Sequence, residues 1–185
     1  VILAALLTIG LFLGAGGVTA ALTDISPGPE TPLTGFGGIL DQLYGLGNLQ
    51  RVDDFGVLPN DQIWFNPDTG TAQAQAKFAS YAHDFGYIPD TNGNGMFEEA
   101  VVPLIGIGGN IGTILASGPS GTLTGGPVNL IWALKPSGAQ LWKSLPDSGN
   151  IDHMVTWRIT GGQGNEAGNY VIAWEDLPGL PAGSD

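Results

Sequence analysis

The chain has 185 residues and no cysteine, and 17 acidic against 5 basic residues give it a formal net charge of −12. The lack of cysteine excludes disulfides, thiolate zinc sites and a cysteine nucleophile. The acidic balance excludes a nucleic-acid binder, which needs a basic surface to replace counterions. It leaves divalent cations as natural partners, with the alternative that the charge only keeps a secreted protein soluble.

Residues 1–21 have the pattern of a secretory signal peptide. Segment 1–13 is nearly continuous apolar sequence, glycines break it at 14–17, and small residues precede a cleavage expected after Ala20 or Ala21. A retained transmembrane anchor is the alternative, because about 20 apolar residues span a bilayer. We expect a bacterial protein that is secreted, extracellular or at the cell surface, with no membrane contact after cleavage. The absence of an initiator Met and the polar last residues predict a fragment that is open at both ends.

After the leader, residues 22–35 are Pro-rich and indicate a linker or an extended arm. Residues 36–185 are expected to form one β-sandwich domain with a truncated C-terminus. Four apolar residues at helical spacing predict a short helix that ends at Gly45 or Gly47 and packs on a sheet. They are Ile39, Leu40, Leu43 and Tyr44.

From Arg51 onward the apolar period is mostly two, which is typical of strands with one buried face. The segment 71–81 (TAQAQAKFASY) alternates in this way, with an Ala-rich helix as the alternative. Turn sequences at intervals of roughly 10 residues predict a mostly β fold, an antiparallel sandwich or jelly roll. The other strand candidates are 62–65, 85–88, 101–107, 113–116, 128–135, 139–143, 154–160 and 170–175.

The segment DTNGNG predicts a calcium loop. Oxygen-bearing side chains at positions 1, 3 and 5 with glycine at position 6 form the first half of an EF-hand-type loop. These positions hold Asp90, Asn92, Asn94 and Gly95. Position 12 is Val101, where an EF-hand needs a bidentate Glu, so Glu98 or Glu99 would have to close a shorter loop. A plain hairpin turn is the alternative, because Asn-Gly is a common hairpin signal.

Two further acidic clusters are weaker candidates for cation binding. One lies at the end of the strand candidate NYVIAW and across a Gly/Pro loop; it comprises Glu175, Asp176 and Asp185. The other is the pair Asp53 and Asp54 with Asp61 before Trp64. Solvated, purely structural acids are the alternative for both clusters.

No catalytic or organic-cofactor site is predicted. His83 and His153 each have a neighbouring Asp, but neighbours in a strand point to opposite faces, and neither G-x-S-x-G nor H-E-x-x-H occurs. Both histidines are therefore expected to be structural or solvent-exposed. The tryptophans lie mostly in alternating apolar segments, which indicates core packing rather than sugar platforms. They are Trp64, Trp132, Trp142, Trp157 and Trp174.

Several stretches in order resemble a known family: ILDQLYGLGNLQRVDDF, DQIWF, AQAKFASYAHDFGYI and NYVIAWEDLPGLPAGSD. They are similar to secreted bacterial proteins that exosortase sorts by a Pro-Glu-Pro C-terminal anchor (PEP-CTERM proteins) and that carry a DUF4114-like domain. The resemblance covers most of 39–185 and implies an extracellular β-sandwich in the cell surface or biofilm matrix, without enzymatic activity. It also implies that Glu175, Asp176 and Asp185 belong to the family's closing acidic motif, whose remainder and sorting tail lie beyond Asp185.

Three functions are consistent with these patterns. The first is a non-catalytic secreted matrix or surface protein with Ca²⁺-stabilised acidic loops, whose partners are divalent cations and extracellular polysaccharide or other matrix proteins. The second is a carbohydrate-binding module that uses exposed aromatic residues. The third is a glycoside hydrolase with a carboxylate pair, which the spacing of acids in the sequence does not reveal.

Overall fold

The computed structural model describes residues 23–24, 39–52, 62–66, 70–77, 82–108, 113–114, 118–138, 140–146, 151–161 and 167–174. One helix, α1 (Ile39–Tyr44), lies among the strands. The strands in chain order are β1 (Thr23–Asp24), β2 (Leu49–Arg51), β3 (Trp64–Asn66), β4 (Thr71–Gln73), β5 (Ala76–Lys77), β6 (His83–Pro89), β7 (Val102–Ile107), β8 (Thr113–Ile114), β9 (Ser120–Thr122), β10 (Val128–Pro136), β11 (Trp142–Lys143), β12 (Ile151–Asp152), β13 (Met154–Ile159) and β14 (Tyr170–Trp174).

A five-stranded antiparallel sheet is built around β10. One edge of β10 pairs with β6 along 130–136, and β7 extends the sheet beyond β6. The other edge is shared by two short strands, β3 at 128–130 and β11 at 133–134. Ser144 lies between these two pairings: its buried hydroxyl donates to the Gln62 carbonyl at 2.6 Å and accepts from Trp132 N–H at 3.1 Å.

A three-stranded antiparallel sheet, in the order β14-β13-β2, packs against the inner face of the larger sheet. Alternate residues of β13 and β14 face in opposite directions, so Met154, Ile172 and Trp174 enter the shared core. The five-stranded sheet contributes aromatic and aliphatic side chains to the same core. They are Phe85, Tyr87, Ile105, Leu130, Trp132 and Leu134. Two antiparallel sheets with one core between them define a β-sandwich, as the alternation predicts.

Helix α1 covers the other face of the three-stranded sheet. Leu40 and Tyr44 pack with Trp157, Ile159 and Val171 in a separate cluster of buried side chains. The helix ends as predicted, because the two glycines that follow it adopt the left-handed conformation, with φ of 84° and 79°. The described helix has six residues, and none of the described segments forms a helix that could span a bilayer.

The connection between β6 and β7, residues 90–101, folds over the outer face of the five-stranded sheet. Its Phe97 is 3% exposed and packs with Ile88, Ile131 and Ala133. Successive side chains of β10 project from opposite faces of the sheet. Leu130, Trp132 and Leu134 pack in the inner core, while Ile131 and Ala133 pack in this second, outer cluster. We call residues 90–101 the cover loop.

The mostly β fold with one short helix is confirmed, with local differences from the predicted strands. Segment 71–81 contains strands rather than a helix, but β4 and β5 are separated at Ala74–Gln75, and 78–81 lie outside the described residues. Strand β9 (Ser120–Thr122) was not among the predicted strands, because its sequence SGT follows a Gly-Pro pair that indicates a turn. At Gly121 a Cβ would collide with the Leu104 carbonyl, so glycine here permits close strand packing.

Strand β1 pairs in parallel with β12. Residues 23–24 are the part of the predicted arm (22–35) that the structure describes, and they are extended. The predicted signal peptide lies outside the described residues.

Candidate functional site

Asp90 organises the first half of the cover loop. It follows β6 directly, its backbone N–H donates to the Asn129 carbonyl at 2.8 Å, and its side chain is 6% exposed. One carboxylate oxygen accepts from Asn94 N–H at 3.0 Å and the other from Gly95 N–H at 2.9 Å. A buried carboxylate is thus wrapped by the backbone of the loop that it opens.

The two asparagines repeat this arrangement along the loop. Asn92 Oδ1 accepts from Asn94 N–H at 2.9 Å, and Asn94 Oδ1 accepts from Met96 N–H at 2.8 Å. Gly93 and Gly95 make the tight path possible, because their φ angles of 70° and 76° are ones that other residues rarely adopt. Asp90 Oδ1 and Asn92 Oδ1 share the same donor, Asn94 N–H, so the two oxygens are close neighbours.

Glu99 closes the base of the cover loop. Its Oε1 accepts from the backbone N–H of Thr91 at 2.8 Å and from the Thr91 hydroxyl at 2.7 Å. The side-chain hydrogen bond from Thr91 is the main cause that lowers the pKa of Glu99 from its ordinary value. The other oxygen, Oε2, is buried without a hydrogen-bond partner among the described residues.

The hydrogen bonds within the loop leave lone pairs unused on its side-chain oxygens. A carboxylate offers about four lone-pair sites and an amide oxygen offers two. The hydrogen bonds of Asp90, Asn92 and Asn94 to the loop backbone use one site on each oxygen. Ca²⁺ takes six to eight oxygen ligands from carboxylates, amide and backbone carbonyls and water, which matches the kind of atoms gathered here.

Of the other predicted ligands, the structure describes only Glu98 and Glu99, and neither is hydrogen-bonded to Asp90, Asn92 or Asn94. Glu98 is exposed, and Glu99 is engaged with Thr91 rather than with Asp90. The closing cluster (Glu175, Asp176 and Asp185) and the cluster of Asp53, Asp54 and Asp61 lie outside the described residues. Among the described residues no group of three or more His, Asp or Glu side chains is placed to hold a metal ion. The calcium site therefore stays a prediction, centred on Asp90, Asn92 and Asn94.

Both histidines are buried, so the alternative of a solvent-exposed histidine is wrong for each. His83 is 6% exposed at the start of β6, whereas its neighbour Asp84 is exposed on the opposite face. His153 is 2% exposed and stacks on Trp142, with ring centroids 3.8 Å apart and planes 19° apart.

The predicted core role of the tryptophans is confirmed. Trp132, Trp142 and Trp157 are buried, and Trp64 and Trp174 are half-buried against the inter-sheet core.

Sequence reasoning missed the most exposed aromatic side chain of the described residues. Phe65 in β3 is 63% exposed and lies directly opposite Asn129 of β10, which is also exposed. Cross-strand partners project from the same face of a sheet, so both side chains lie on the outer face, the one that the cover loop partly covers. The run WF in DQIWF gives only a weak signal, because either residue could be the buried one.

Comparisons with family models, with curated proteins and with solved structures found no match.

Proposed function

We propose that the protein is a non-catalytic, secreted matrix or surface protein whose cover loop binds Ca²⁺. The observation that carries this proposal is the buried Asp90 carboxylate, each of whose oxygens accepts a backbone N–H from the loop. Its neighbours Asn92 and Asn94 hold their oxygens by the same type of bond. The net charge of −12 supports a cation as the partner, because it raises the local cation concentration.

Binding would stabilise the outer face of the sandwich through one continuous segment. The cover loop carries the oxygens at its start and Phe97, which is 3% exposed, in its second half. A cation that holds the first half of the cover loop in place would make it harder for Phe97 to leave the outer cluster. Phe97 shares that cluster with Ile88 and Ile131. The leader and the family resemblance support a location outside the cell, where Ca²⁺ modules typically bind with Kd of about 10⁻⁴–10⁻³ M.

Thermal unfolding of the full chain with Ca²⁺ and with chelator tests the proposal. At about 10–100 times Kd, a cation that binds only the folded state adds roughly 1.4–2.7 kcal/mol. We expect a Tm rise of about 3–10 °C, and a smaller one with Mg²⁺, which dehydrates reluctantly and needs octahedral geometry.

Matched variants locate the effect. Asp90→Asn and Asn92→Ala should each remove most of the Ca²⁺-dependent rise, whereas Asn129→Ala should keep it, because Asn129 is an exposed amide outside the loop. Asn92→Ala matters most, since the Asn92 side chain is exposed and its loss should not prevent folding. Wild-type chain with no Ca²⁺-dependent rise, or Asn92→Ala with an unchanged one, refutes the proposed site.

Phe65 favours carbohydrate binding as the second candidate function. An exposed aromatic ring beside the Asn129 amide offers a sugar both a stacking surface and hydrogen bonds. Tyr170, 39% exposed, does not extend this surface, because its ring packs edge-on against Trp64 with centroids 4.9 Å apart. Electrophoresis through gels containing neutral polysaccharides tests this: wild type should be retarded, Phe65→Ala should not, and equal mobility of the two would reject the site.

A further inference from the structure

The chain contains two Asn-Gly dipeptides, and both lie in the cover loop: Asn92-Gly93 and Asn94-Gly95. All four residues are exposed, and a side chain added at either glycine would meet no atom within 4 Å. Asn-Gly is the dipeptide in which the backbone nitrogen after asparagine is least shielded from the asparagine side chain, because glycine has no Cβ. From the different partners of the two glycine N–H groups, we infer that Asn92 is a site of spontaneous deamidation and that Asn94 is protected.

The reaction needs only base and water. Gly93 N loses its proton to base and attacks Asn92 Cγ, the Cγ–Nδ2 bond breaks, and Nδ2 takes up a proton and leaves as ammonia. The resulting five-membered succinimide then adds water at one of its two carbonyls and opens to aspartate or isoaspartate at position 92. The electrophile is already polarised, because Asn92 Oδ1 accepts the Asn94 N–H at 2.9 Å, where negative charge develops during attack.

The two asparagines differ in their nucleophile rather than in their electrophile. Asn94 Oδ1 is polarised in the same way by Met96 N–H at 2.8 Å. The nitrogen that would attack it, Gly95 N, donates to the Asp90 carboxylate at 2.9 Å. Deprotonation of Gly95 N would break this charge-assisted hydrogen bond and would place a second negative charge next to the carboxylate. Gly93 N makes only a long bond of 3.4 Å, to the Asp90 backbone carbonyl. Loss of a hydrogen bond to a charged group corresponds to about tenfold or more, so Asn92 reacts faster by roughly that factor.

Deamidation at Asn92 would change the proposed cation site, a consequence that rests on the proposed function. An aspartate at position 3 adds a carboxylate beside Asp90, and Ca²⁺ affinity in such loops rises with the number of charged ligands. An isoaspartate instead inserts a methylene into the backbone and disrupts the bond from Asn94 N–H. Deamidation would therefore convert the loop into two forms: the aspartate form would bind Ca²⁺ more tightly, and the isoaspartate form would bind it more weakly.

Peptide mapping by mass spectrometry tests the inference. The full chain is incubated in mildly alkaline buffer with chelator, native and in concentrated urea, and amide-to-acid conversion is followed at both asparagines. In the native chain Asn92 should convert about tenfold faster than Asn94. In urea, where Asp90 no longer holds Gly95 N, the two rates should be similar. Equal native rates, faster conversion of Asn94, or native protection of both residues would overturn it.

Two additions separate this inference from the calcium proposal. Asp90→Asn should raise the native conversion of Asn94 toward that of Asn92, because the charged acceptor for Gly95 N–H is lost; an unchanged ratio counts against the mechanism. Asn92→Asp should enlarge the Ca²⁺-dependent Tm rise. A chain that deamidates selectively but shows no Ca²⁺ response supports the modification site and rejects only the cation site.

Discussion

The Ser144 hydroxyl accepts a hydrogen bond from the backbone N–H of Trp132 at 3.1 Å, in the gap that β3 and β11 leave along β10. It also donates to the Gln62 carbonyl at 2.6 Å, so one small side chain continues the sheet where no strand pairs. We expect Ser144→Ala to destabilise the fold by roughly 1–3 kcal/mol, since it leaves a buried N–H and a buried carbonyl each short of a partner. Urea denaturation measures this, and the exposed Ser137→Ala, expected within about 0.5 kcal/mol of wild type, is the control.

Phe97 is the buried anchor of the cover loop, and its φ of 48° is unusual for a residue other than glycine. Phe97→Ala should cost roughly 3–5 kcal/mol, because it opens a cavity beneath the loop. Met96, its neighbour, is 66% exposed, so Met96→Ala should change the free energy of unfolding by less than about 0.5 kcal/mol. Similar losses in the two variants would show that the loop is not anchored through Phe97.

Thr91 should set the acid response of the cover loop. Its hydroxyl is the main cause of the lowered pKa of Glu99, so the stabilising contribution of Glu99 is present above the ordinary Glu pKa of about 4.3 and is lost as the pH falls through the lowered folded pKa. Thr91→Val removes the donor and should raise the pKa of Glu99, so that protonation begins at a higher pH. Carboxyl NMR titration follows this, and an unchanged Glu99 pKa in the variant would contradict the assignment.

Thr156 offers a stabilising substitution. It is fully buried on β13, and its hydroxyl has no hydrogen-bond partner among the described residues. Thr156→Val keeps the shape and removes an unsatisfied polar group, so it should stabilise the fold by about 1 kcal/mol, a Tm rise of about 2–4 °C. Thr156→Ala should be destabilising instead, because it leaves a cavity. A loss of stability in Thr156→Val would contradict the assignment of the hydroxyl as unsatisfied.

The helix and the longer strands could be predicted because local pattern decides them, whereas the short strands β2 and β9 and the lateral contacts of the loop were not predicted. Val128–Pro136 is a mostly apolar segment bounded by Gly-Pro and Ser-Gly turns, and it forms the central strand. The spacing of Asp90, Asn92 and Asn94 identified the loop, because its bonds join residues two to five positions apart.

The predicted closure by Glu98 or Glu99 remains untested, and the Thr91–Glu99 contact was not foreseen. That contact depends on how the second half of the loop returns over the sheet, a path that Phe97 fixes through Ile131 and Ala133 in a distant part of the chain. Strand β9 was missed because its glycine, a turn signal in isolation, serves close packing on Leu104. Both omissions have one cause: information held by residues far away in sequence.

The cover loop joins two strands that pair directly with each other, so within the segment 83–107 the loop covers one face of the strands that it connects. Ile88, Phe97 and Val101 meet within a short stretch of chain, and such sequence-local contacts cost little loop-closure entropy. A β-sandwich is otherwise slow to fold, because most of its pairings join distant residues. We therefore expect this hairpin to form early in folding, when it can shelter one face of its own strands before β10 pairs with β6.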